Sequence, residues 1–173
     1  MKPLAMTPRR WLLTVHLVLA SIMLGGAVLF LVLSITAAGT DDPVLLHACY
    51  TVMLALSRTS VRASTIGTVV TGVLLSVFTH WGLLKYYWII AKEVLTLAAA
   101  ALGVAGMYIW SGRAAAVTAA EGMGAWSYPA FTANHTVLMA GIVLQLVSLI
   151  ALFALSVFKP WGPRRSRKSG GRV

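Results

Sequence analysis

The chain has 173 residues, of which 59% are hydrophobic and 10% charged, and its mean hydropathy is +0.86. A soluble domain carries about a quarter charged residues, so that class is excluded, together with a disordered chain, a collagen-like chain and a disulfide scaffold. The net charge of +10 does not point to nucleic acid, because the bases form no stripe interleaved with aromatics. What remains is an integral membrane protein, and 173 residues hold roughly four spans of about 20 residues with their loops. The single cysteine, Cys49, permits no intramolecular disulfide.

The first apolar run extends from Trp11 to about Ala37. It is longer than the core of a signal peptide, about 7–15 residues, and reads as a retained span. It carries His16, which a rise of about 1.5 Å per residue places roughly 7–8 Å below Trp11. Ser21 and Gly25 are spaced to let a neighbouring helix approach.

The stretch from Pro43 to Ser57 is apolar but too short to span. Pro43 suits a helix start. Joined to the next span it would make a rod of roughly 60 Å, twice the hydrocarbon thickness of about 30 Å. A bend is therefore expected near Arg58–Arg62, with the short helix resting on the outer surface. The second span covers about Val61 to Trp81. On it Ser64, Thr68, Gly72, Ser76 and His80 recur every fourth residue and form one small, weakly polar face. Such a face packs against a neighbouring helix, or offers a smooth wall to a flat ligand.

The third span, about Tyr86 to Trp110, holds Lys92 and Glu93, two turns inside the membrane. Ionisable residues at such depth cost at least a few kcal/mol and mark function by default, although Lys92 can also snorkel to the interface. Ala99, Gly103 and Gly106 permit close helix contact. Gly112 to Tyr128 reads as an outer connection. The fourth span, about Phe131 to Phe158, carries Gln145 and Ser148 at depth, and Gln145 reads as an interhelical hydrogen-bonding group. His47 and His135 read as outer surface residues. Trp11, Trp81, Tyr86, Tyr87, Trp88, Trp110 and Trp161 read as interfacial anchors.

Bases set the topology. Lys2, Arg9, Arg10, Lys85, Lys159, Arg164, Arg165, Arg167, Lys168 and Arg172 all fall on one side, with no acid among them. On the other side Arg58, Arg62 and Arg113 cancel Asp41, Asp42 and Glu121. Both termini are therefore expected in the cytoplasm, with the basic tail of residues 159–173 facing anionic lipid headgroups. His16, Lys92 and His80 then come from three spans to one layer near the cytoplasmic face. A buried neutral imidazole is a good donor to iron, and burial favours a neutral lysine amine. The set lacks the ligands of a protein-held zinc or di-iron centre, so a macrocycle needing one or two axial donors fits better.

Three features carry a resemblance: Trp11-Leu-Leu-Thr-Val-His16-Leu with Gly25-Gly26, Gly72-Val-Leu-Leu followed by Trp88-Ile-Ile-Ala-Lys92, and Phe158-Lys159-Pro160. Together they resemble a group of small bacterial four-helix membrane proteins. That group includes the haem-containing membrane protoporphyrinogen oxidase and the membrane domain of copper resistance protein D. The chain looks closest to a branch of the group outside those two. The resemblance implies that His16 ligates haem b and that Lys92 serves activity. The chain departs from the oxidase pattern in Glu93 and in the absence of histidine between Tyr108 and Arg113, so haem binding carries over better than the oxidase reaction.

The sequence thus predicts an all-α, four-helix integral membrane bundle in a bacterial cytoplasmic membrane, with a short extra helix between spans one and two. Its leading function is haem b binding for electron transfer or porphyrin chemistry as a membrane oxidoreductase. His16 and His80 are the candidate metal ligands, and Gly72 and Ser76 the wall of the cofactor site. Lys92 and Glu93 are the candidate catalytic or proton-handling groups. A redox partner or quinone, a homodimer, and a second haem between His47 and His135 are compatible with this reading. The competing readings are a proton-coupled transporter subunit using Lys92 and Glu93 without a cofactor, and an accessory subunit in which neither residue matters.

Overall fold

The computed structural model describes residues 6–78, 87–158 and 160. Six α-helices account for nearly all of them, and the described residues contain no strand. They are α1 (Met6–Gly39), α2 (Pro43–Arg58), α3 (Ser60–Phe78), α4 (Tyr87–Ala101), α5 (Met107–Glu121) and α6 (Pro129–Phe158). A π-helical turn, Leu102–Gly106, joins α4 to α5, and a 3-10 turn, Gly122–Ser127, joins α5 to α6.

Four helical stretches, Met6–Gly39, Pro43–Phe78, Tyr87–Ser127 and Pro129–Phe158, are each long and apolar enough to cross a membrane. The chain is accordingly a multi-pass helical membrane protein. Large apolar side chains such as Leu17, Val18, Val70, Leu97, Leu144 and Ile150 are about half exposed. Helices that are apolar all round belong in lipid rather than water. The shortest stretch has 30 residues, or about 45 Å at the helical rise, so the bundle outreaches a hydrocarbon layer of about 30 Å.

Local chemistry sets the breaks. After α1 the chain turns over three residues, with the Thr40 hydroxyl accepting from the Asp42 amide at 3.1 Å. Asp42 then caps α2, its Oδ1 accepting from the Val44 amide at 2.9 Å, and Pro43 occupies the first turn, where a missing N–H costs nothing. The break between α2 and α3 is the single residue Thr59 (φ −111°, ψ −96°). Arg58 and Arg62 straddle it, their guanidinium carbons 5.4 and 5.6 Å from the Tyr108 ring centroid. The bend expected near these residues is thus one residue wide and held by α5.

Two expectations about connections are corrected. Residues 43–57 are not laid over the bundle end as a surface helix. α2 buries Leu46, Cys49, Tyr50 and Met53 and packs along α1 and α5. Residues 112–121 are likewise not a loop, because α5 continues to Glu121 and buries Ala114, Ala115 and Thr118. Alanine is the best helix former, and its small side chain lets α5 lie close to α2; in sequence the same small residues read as an outer connection. The helix stops at Gly122, whose φ of +52° is a conformation that L side chains rarely adopt.

The main core lies at the α2–α5 end. Phe30, Leu46, Tyr50, Met53, Leu138 and Ile142 are all at most 2% exposed there. A smaller cluster, Met23, Ala27 and Leu149, continues it toward the other end. Close helix contact depends on glycines other than those expected. Gly25 faces open space, whereas a Cβ on Gly26 would come 3.2 Å from Val61 and one on Gly67 would come 2.8 Å from Leu19. Gly26 and Gly67 therefore form the α1–α3 seam. Gly103 is buried as expected.

Candidate functional site

His16 sits half-buried on the α1 face that meets α3. Its Nδ1 is 2.8 Å from Thr71 Oγ1. The one hydroxyl proton of Thr71 is used within α3, toward the Gly67 carbonyl at 2.7 Å and the Thr68 carbonyl at 3.2 Å. Thr71 is thereby left able to accept from His16, and a proton on Nδ1 would leave the Nε2 lone pair unused. Gly72 makes room for the ring: a Cβ there would lie 3.4 Å from His16 Cε1.

Lys92 of α4 lies within electrostatic range of this imidazole. Its Nζ is 5.9 Å from the Trp88 ring centroid, and Trp88 is only 8% exposed rather than a lipid-facing anchor. Three helices, α1, α3 and α4, thus bring His16, Thr71, Gly72 and Lys92 into one neighbourhood. Glu93 follows Lys92 directly, and adjacent helical side chains do not face each other. Its Oε1 is buried with no hydrogen-bond partner among the described residues, as is Thr68 Oγ1, and an unpartnered buried polar atom costs about 1–3 kcal/mol.

The other expected site residues are placed less centrally. Ser76 is half-buried on α3, one turn beyond Gly72. His80 lies outside the described residues, as do Trp81, Lys85 and Tyr86. The small face of α3 packs against α1 through Ser64, which is 2% exposed, and through Gly72 against His16. Among the described residues no three His, Cys, Asp or Glu side chains gather in one place.

No protein-family model, no curated protein and no solved structure matches this chain. What can be said about the site therefore comes from its own chemistry.

The α2–α5 end holds a second polar cluster that sequence reasoning missed. His135, expected at the surface, is 9% exposed, and its Nδ1 shares a 2.8 Å hydrogen bond with Tyr50 OH. The edges of Tyr50 and Trp126 meet its ring at 6.2 and 5.2 Å between centroids. His47 is engaged through both nitrogens, Nδ1 with Thr118 Oγ1 at 3.1 Å and Nε2 with Thr51 Oγ1 at 3.2 Å. A haem shared between His47 and His135 does not fit these residues, because His47 has no ring nitrogen left for iron. Partners 85 residues apart leave no local pattern, so this cluster had no signal in the sequence. Thr71 did have one: it lies on α3 beside Gly72, but off the fourfold register that drew attention to its neighbours.

Proposed function

We propose that this protein is a four-span membrane protein with both termini in the cytoplasm, binding haem b close to the cytoplasmic face. The observation that carries this reading is the placement of His16: its Nδ1 lies 2.8 Å from Thr71 Oγ1, and with the proton on that nitrogen Nε2 would be a donor. Ligating histidines in metal sites hold their second nitrogen in this way. Haem supplies four further nitrogens itself, which suits a place where no cluster of three protein ligands forms among the described residues. His16 would hold the iron, Gly72 would leave the space for its ring, and Lys92 would act beside it on charge and protons. His80, like Lys92 a sequence candidate for a second ligand, stays part of this proposal, with Ser76 in the wall of the site. Bound haem would supply one-electron chemistry, for electron transfer or for oxidation of a porphyrin.

In this topology the basic N-terminal segment and tail meet anionic lipid. The α2–α5 end then lies on the opposite side, beyond the hydrocarbon. Membrane protein purified from haem-supplied cells is expected to show a Soret band, and His16→Ala is expected to abolish it. Absence of the band, or a band that survives in His16→Ala, rejects haem at this site.

A second reading has its own observation, the buried and unpartnered carboxylate oxygen of Glu93. In that reading Lys92 and Glu93 pass protons for a transport step and no cofactor binds. Proton flux into vesicles containing the reconstituted protein, followed with an entrapped pH dye, is then expected to vanish in Glu93→Gln. Equal flux in Glu93→Gln and the parent protein removes the transport reading while leaving the Soret test untouched.

A further inference from the structure

We propose that the π-helical turn between α4 and α5 holds one internal water molecule, hydrogen-bonded to Gln145 and Thr65 beside Gly103. Gln145 is 5% exposed and Thr65 1%, yet Gln145 Oε1 and Thr65 Oγ1 have no hydrogen-bond partner among the described residues. Both side chains converge on Gly103. A Cβ built there would lie 3.5 Å from Gln145 Nε2 and 3.9 Å from Thr65 Oγ1. Beside Gly103 and Gln145 is a cavity of about 10 Å³, and about 10–15 Å³ holds a single water. Its remaining wall is apolar: Met23, Ala27 and Phe30 of α1, Val61 of α3, and Met107.

The backbone explains why the gap lies here. Over Leu102–Gly106 the helix widens, and the Met107 amide donates to the Leu102 carbonyl five residues back. Such π turns inside α-helices are frequent at functional positions. Gly103 brings no side chain to fill the space. A glutamine amide and a threonine hydroxyl without partners inside an apolar bundle are costly, and one water bonded to both removes that cost. Buried waters of this kind typically make about three hydrogen bonds, and at least two. The site is independent of the haem proposal, since none of its lining residues belongs to the His16 neighbourhood.

The test uses the full chain in lipid nanodiscs. A structure at a resolution that shows ordered solvent is expected to have density within hydrogen-bonding distance of Gln145 Oε1. Two variants give an independent readout of thermal unfolding. Gly103→Ala puts a methyl where the water sits, without a steric clash, and Gln145→Met removes the amide at nearly constant volume. Each is expected to lower Tm by about 2–4 °C, the shift that 1 kcal/mol produces in a chain of this size. A dry cavity predicts the reverse: alanine improves a helix, and methionine removes an unpaired polar group. Absence of density, or an unchanged or raised Tm in either variant, overturns the proposal.

Discussion

If His16 ligates haem as proposed, Thr71→Val is expected to weaken haem binding by about 10–100-fold, the usual loss when the outer partner of a ligating histidine is removed. Valine keeps the shape of threonine, so the α1–α3 seam stays filled. What disappears is the acceptor 2.8 Å from His16 Nδ1. The imidazole is then free to rotate on Cβ–Cγ and to exchange tautomers, and Nε2 presents a lone pair only part of the time. Thr71 is a positioning residue: it acts through His16. The measurement is a haem titration of the apoprotein, with Thr71→Ser as the control that restores a hydroxyl. Affinity should fall in the valine variant and return in the serine variant. If serine binds haem no better than valine, the hydroxyl is not what orients His16.

Gly141→Ala is expected to be the most damaging single-methyl change in the membrane half of α6. A Cβ at Gly141 would stand 2.5 Å from Trp110 Cζ3, a separation at which one group has to move. The indole cannot retreat easily. A Cβ at Gly106 would also lie 2.9 Å from the same ring, so the ring already packs against two glycines. Its backbone is held too, because the Trp110 carbonyl accepts from Asn134 Nδ2 at 2.9 Å. Overpacking of this kind costs about 1–3 kcal/mol, which lowers Tm by about 2–4 °C for each kcal/mol. Thermal unfolding in detergent checks the size of the effect. Repeating the change in a Trp110→Leu background checks the cause, since contacting residues couple by about 0.5–3 kcal/mol. An identical loss in both backgrounds would place the strain somewhere other than the indole.

Both predictions turn on glycines and hydroxyls that carry little weight when read along the chain. Gly25 drew attention because it is four residues from Ser21, yet it faces open space and Gly26 makes the contact. A shift of one residue rotates a helical position by about 100°, and two neighbouring glycines leave that rotation undetermined. The same limit applies to the fourfold series on α3. It marked Thr68 and Gly72, which do face α1, but passed over Thr71, the residue that holds His16. Lys92 and Glu93 were legible because charge inside an apolar run is rare and costly. Their separate surroundings, one acting on His16 and the other with an unpartnered oxygen, were not.

Composition and periodicity were sufficient for the gross architecture. Long apolar runs dictate four helical stretches, because hydrocarbon tolerates only backbone that satisfies its own hydrogen bonds. The one-sided bases supply an orientation to test. Tertiary structure alone decided that residues 43–57 and 112–121 pack lengthwise as helices instead of forming a surface helix and an outer connection. It also decided that His135 is buried against Tyr50, that His16 Nδ1 meets Thr71, and that Gln145 and Thr65 meet at a π turn. The physical reason is one of range. Burial in lipid depends on each segment's own composition, whereas a hydrogen bond depends on the rotation and depth of two helices at once, and nothing within either helix encodes its partner's position.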